Sequence, residues 1–163
     1  MPAKKTNLSD FSDVNIPSAS DMRFGIVVSE WNHEITNSLL NAAVDTLISH
    51  GTNKDNIVIE SVPGSFELSL AGQIIAENNN LDAVICIGCV IQGETRHFEF
   101  ICQAVSQGIN NLNLKFNMPF IFGVLTTDNI EQARERSGGI YGNKGDEAAV
   151  AAIRMAALKK KYL

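Results

Sequence analysis

Four short apolar runs recur along this chain, and each is followed by a segment whose apolar residues fall at helical spacing. No other feature narrows the fold as much. The first run lies in RFGIVVSEW (23–31); NHEITNSLLNAAVDTLISHG follows, with Ile35, Leu39, Ala43 and Leu47 on one helical face. Asn32 has the residue type of an N-cap and Gly51 that of a C′ position. NIVIESV (56–62) predicts a second strand, and Pro63-Gly64 turns the chain into a helix from about Phe66. LDAVICIGCVI (81–91) predicts the third strand, residues 97–116 the third helix and MPFIFGVLTT (118–127) the fourth strand. Asp128 and Glu131 have capping-box spacing before a short helix that ends at Gly138-Gly139, and a last helix runs from about Asn143 to Lys160. Apolar strands alternating with helices predict a four-stranded parallel sheet covered on both faces, an α/β three-layer sandwich.

In such a sheet ligands bind beyond the carboxyl ends of the strands. SEWN, PGSFE, QGETRH and TTDN are therefore expected to crowd one rim. In QGETRH, Gly93, Glu94 and Thr95 offer backbone N–H groups and a hydroxyl to an anion. His97 falls in the first turn of a helix, where an imidazole is placed to exchange protons with a ligand. A histidine that merely fills the turn fits the same pattern. Arg134 and Arg136 both close a short helix, and spacing does not separate a phosphate-facing guanidinium from an exposed one. Trp31 and Phe66 stand where a planar ring would stack, whereas Phe122 sits inside an apolar run and reads as core. Ser65 and Glu67 suit polar ligand groups or a plain helix entry, and Lys144 suits a phosphate or a turn.

Bulk properties exclude several classes. The chain's 163 residues suffice for one domain (14–163) behind a polar, flexible arm (1–13). A net charge of −5 speaks against nucleic-acid binding, and Lys159 to Lys161 suit a helix C-terminus. No apolar stretch reaches the roughly 18 residues of a membrane span, and the N-terminus lacks a secretory apolar core, so a cytoplasmic protein is expected. Cys86 and Cys89 form C-x-x-C inside a strand, where positions i and i+3 point to opposite faces; this reads as buried structure rather than a redox or metal pair.

Four motifs in one order, VPGSFEL, GCVIQGETRHFEF, FGVLTTDNIEQARERSGG and GNKGDEAAVAAIRM, resemble those of 6,7-dimethyl-8-ribityllumazine synthases, from about Arg23 to Leu158. The resemblance implies a flavodoxin-like fold. It also implies condensation of 5-amino-6-ribitylaminouracil with 3,4-dihydroxy-2-butanone 4-phosphate, releasing phosphate and water, with no metal or organic cofactor. By motif, His97 is implied to transfer protons and Arg136 to hold the phosphate, with Glu94 and Thr95 beside it. Trp31 is implied to stack on the pyrimidine. Ser65, Phe66, Glu67, Cys89, Val90, Ile91 and Phe122 are implied to contact the pyrimidine and ribityl group, and Lys144 to lie near the phosphate. The chain departs from the usual family pattern with Trp31 for phenylalanine, Ser69 for proline and Gln92 for a basic residue.

The resemblance further implies a homo-oligomer of pentamers at least, with each site shared between subunits. It implies that Val14 to Pro17 add a strand to a neighbour's sheet, that twelve pentamers can form a sixty-subunit shell, and that a riboflavin synthase is a candidate partner. Two rival readings are a flavodoxin-like flavin carrier and a noncatalytic shell protein.

Overall fold

In the computed structural model, which describes residues 6–163, the apolar runs form β1 (Phe24–Ser29), β2 (Ile57–Val62), β3 (Ala83–Ile91) and β4 (Phe120–Thr127). All pairings within this sheet are parallel, in the order β2-β1-β3-β4. Parallel neighbours require crossovers, and α1 (His33–Ser49), α2 (Leu68–Asn78) and α3 (His97–Phe116) supply them. The chain steps outward from β1 to β2 and then returns past β1 to β3. The direction of winding thus reverses between β1 and β3, and a crevice opens beyond their carboxyl ends.

Alternation along each strand divides the core in two. Phe24, Ile26, Ile85 and Ile87 pack against Leu39 and Leu47 of α1 and Ala149 and Ile153 of α5 (Lys144–Lys161). Val27, Val84, Phe120 and Val124 pack against Leu68 and Ile75 of α2 and Val105 and Ile109 of α3. This is the expected three-layer arrangement. Cys86 and Cys89 fall in opposite layers, and burial pushes each thiol up to about 12, so neither supplies a thiolate near neutrality.

Element ends differ from expectation where side-chain chemistry is local. Asn32 occupies the N-cap position of α1, but its side chain does not cap the helix. A 3-10 turn over Ser65–Glu67 precedes α2, closed by the Gly64 N–H donating to Glu67 Oε2 at 2.9 Å. The predicted Asp128–Glu131 box is displaced by one residue. The Gln132 N–H donates to Asn129 Oδ1 and the Asp128 N–H to Gln132 Oε1, each at 2.9 Å. Thr127 is still paired with Ile91 in the sheet, which delays the start of α4 (Ile130–Glu135). That helix also stops before Gly138-Gly139, because β5 (Ser137–Gly139) and β6 (Gly142–Asn143) form a small antiparallel ribbon.

Residues 1–5 of the expected arm lie outside the described residues. The Leu8 N–H donates to the Tyr141 carbonyl at 2.7 Å, and Ser9 Oγ donates to Asp146 Oδ2 at 2.6 Å. Within this single chain Val14 to Pro17 form no strand. Among the described residues no helix is long and apolar enough to cross a membrane.

Candidate functional site

A cleft of about 760 Å³ opens where β1, β3 and the turn after β2 come together. Its walls are held by hydrogen bonds between strand ends. The Trp31 N–H donates to the Pro63 carbonyl at 3.1 Å, carrying the β1–β2 pairing past the end of both strands. Asn32 Nδ2 then donates to the Cys89 carbonyl at 2.8 Å and ties the same segment to β3. Asn32 can do so because its backbone is left-handed, at φ 60° and ψ 48°, which turns the amide inward instead of along the helix axis. In the sequence this residue has only the type of a cap. Residue type was a signal for left-handed backbone, but the acceptor lies 57 positions away.

The cleft brings together most of the expected site. Trp31 and Phe66 are 73% and 60% exposed, so two aromatic faces stand open on its walls. Buried Ser65 and exposed Glu67 flank Phe66 on the 3-10 turn and line the same cleft. Cys89, Val90 and Ile91 form the β3 wall. Thr95 and His97 close the far side at the start of α3, the His97 N–H donating to Thr95 Oγ1 at 3.4 Å. Glu94 sits on the exposed connection between Gly93 and Thr95 without lining the cleft.

Arg136 and Lys144 are elsewhere. They line a separate cavity of about 320 Å³ formed by the end of β4, α4, the start of α5 and Leu8. Phe122, half-buried on β4 opposite Cys86, lines neither space. The single chain therefore presents an aromatic–imidazole half and a cationic half without joining them.

The structure also separates the two arginines. Arg134 directs Nε and Nη2 onto both carboxylate oxygens of Glu34, at 2.8 and 3.1 Å, and that guanidinium holds the Glu34 carboxyl below its ordinary range. Arg136 donates only through Nη1, to the Gln132 carbonyl at 3.0 Å and Glu135 Oε2 at 3.4 Å. Its Nε–Nη2 edge, the edge that matches a phosphate bidentately, has no partner among the described residues. Lys144 Nζ lies 2.7 Å from Glu147 Oε1.

Comparison with known proteins identifies the family of the chain. The family model described as 6,7-dimethyl-8-ribityllumazine synthase matches residues 21–160. A protein of that name from Cytophaga hutchinsonii is 60% identical over 157 residues, covering 96% of this chain and 98% of that protein. Another from Porphyromonas gingivalis is 53% identical over 154 residues, covering 94% and 96%. A third from Christiangramia forsetii is 53% identical over 161 residues, covering 98% and 96%. With the family model matching residues 21–160 and relatives of that name 53–60% identical over nearly the whole length, the chain belongs to the 6,7-dimethyl-8-ribityllumazine synthase family.

Proposed function

We propose that this protein condenses 5-amino-6-ribitylaminouracil with 3,4-dihydroxy-2-butanone 4-phosphate to give 6,7-dimethyl-8-ribityllumazine, phosphate and water, as a cytoplasmic step of riboflavin biosynthesis. Open aromatic faces beside a histidine carry this reading: Trp31 and Phe66 flank a cleft with His97 on its rim. The pyrimidine stacks on Trp31, and its polar edge and ribityl chain meet Ser65, Glu67 and the backbone of Cys89 to Ile91. The amine attacks the ketone, water leaves to form an imine, phosphate is eliminated, and ring closure expels a second water. Every step moves a proton, which His97 takes up or returns, and none requires a strong nucleophile. Holding two reactants in one cleft supplies much of the rate.

The phosphate needs a cation, and the open guanidinium edge lies in the other cavity. In the proposed assembly a neighbour's β4–α4 face covers the cleft. It brings Arg136, Lys144 and Phe122 to the Trp31 and His97 of the first subunit, with Glu94 and Thr95 facing the phosphate. Two different faces meeting in this way make a head-to-tail contact, which closes into a ring. The ring is a pentamer at least, and a sixty-subunit shell able to enclose a riboflavin synthase is the larger form. Val14 to Pro17 would extend a neighbour's sheet, for which β2, exposed at Ile59 to Ser61, offers an open edge.

The test is an absorbance assay of lumazine formation from the two purified substrates, paired with a native mass measurement. Turnover by an assembly of five or more chains is expected. No turnover, or full turnover by a stable monomer, overturns the reading, and a mass near one pentamer removes the shell.

A further inference from the structure

We infer that Tyr141 is the positioning residue that aims Arg136, and so sets the affinity of the site for the phosphorylated substrate. This deepens the function proposed above and rests on it. The Arg136 guanidinium carbon lies 4.7 Å from the centroid of the Tyr141 ring, within the range of a cation–π contact. One face of the guanidinium is therefore covered by tyrosine, and Nη1 is tied to the Gln132 carbonyl and Glu135. These contacts restrict the group to an orientation that leaves the Nε–Nη2 edge free, the geometry a phosphate requires. Without the ring, a single pinned nitrogen leaves the guanidinium free to swing.

The ring itself is held by its backbone. The Tyr141 N–H donates to the Glu135 carbonyl at 2.9 Å, and the Lys144 N–H donates to the Arg136 carbonyl at 2.9 Å, closing the ribbon beneath both residues. From above, the Leu8 N–H donates to the Tyr141 carbonyl at 2.7 Å, while Leu8 also walls the cavity that Arg136 lines. Gly142 follows at φ +77°, and a Cβ there would lie 2.8 Å from the Ser9 nitrogen. The N-terminal segment at Leu8 and Ser9 thus holds the turn that presents the ring.

The experiment compares steady-state kinetics of full-length Tyr141→Leu, Tyr141→Phe and Arg136→Gln, and of the Tyr141→Leu/Arg136→Gln double variant. Losing the π face should raise KM for the butanone phosphate about 3- to 30-fold, the range expected for a cation–π contact. KM for the pyrimidine and kcat should stay within about twofold, and Tyr141→Phe, which keeps the ring, should behave as the parent. In the Arg136→Gln background Tyr141→Leu should add nothing. An unchanged KM, an equal rise for both substrates, or a full effect without Arg136 overturns the inference. Should Tyr141→Leu fail to fold by circular dichroism, Tyr141→Met supplies the same comparison. If the parent protein does not turn over these substrates, the proposed function fails. Calorimetry with inorganic phosphate then decides the positioning claim alone: weaker binding in Tyr141→Leu but not Tyr141→Phe upholds it, and equal binding overturns it.

Discussion

Replacing Asn32 separates two physical effects that meet in one residue. Its side chain joins the β1 and β3 walls of the cleft through the 2.8 Å bond to the Cys89 carbonyl, and its backbone sits at φ 60°. Asn32→Gly removes the bond but accepts that backbone freely. The lost hydrogen bond costs about 0.5–1.5 kcal/mol, and the extra freedom of glycine in the unfolded chain adds about 0.4–1. Asn32→Ala loses the same bond and also forces an ordinary side chain into the left-handed region, at about 1–2 kcal/mol. Alanine should therefore be less stable than glycine by about 1 kcal/mol, or about 2–4 °C for a chain of this size. Asn32→Asp keeps the backbone preference but turns an acceptor toward a carbonyl, so it should damage the cleft more than glycine does. Thermal unfolding at matched protein concentration reads the first effect, concentration being fixed because assembly contributes to stability. KM for the pyrimidine reads the second and should rise in all three variants. Alanine matching or exceeding glycine in stability would refute the backbone argument. A glycine variant with unchanged stability and KM would refute the bridge.

Three further outcomes follow from the geometry. His97→Ala should lower kcat about 100-fold with the native mass unchanged, the low end for a positioned proton-transfer group, since binding both substrates supplies the remainder; unchanged turnover removes its assigned role. Gly88→Ala should cost about 1–3 kcal/mol and raise KM for the pyrimidine, because the added Cβ would lie 2.5 Å from Ser65 Oγ and 3.1 Å from Leu68 Cδ1, displacing the 3-10 turn; calorimetry and kinetics check this, and parent-like values would show that the turn yields freely. At pH 8 Cys86 and Cys89, their thiols pushed up to about 12, should stay protonated and resist iodoacetamide in the folded protein, leaving half-buried Cys102 as the site of slow labelling by mass spectrometry; rapid labelling of either buried thiol contradicts the layer assignment.

Much of the architecture was legible in contiguous residues. The apolar runs, the helical spacing of Ile35, Leu39, Ala43 and Leu47, and Gly51 beyond α1 all report structure within a few positions of themselves. The apolar run that forms β3 is followed by the predicted helix, and His97 stands at the start of α3 on the edge of the cleft. The capping box after β4 was displaced by one residue because sheet pairing to Ile91 holds Thr127 in the strand, and no local pattern records that pairing.

The chain's own periodicity thus determined a parallel sandwich, since side-chain direction repeats every 2 or 3.6 residues and is written locally. Tertiary structure alone decided which groups there are free to act. Arg134 and Arg136 are indistinguishable by spacing until Glu34, 100 positions away, occupies the fork of one and Tyr141 covers a single face of the other. Asn32 is likewise an ordinary cap until β3 brings the Cys89 carbonyl within reach. Directional contacts need atoms placed to within a few tenths of an ångström, and only packing across the whole sheet sets positions that finely.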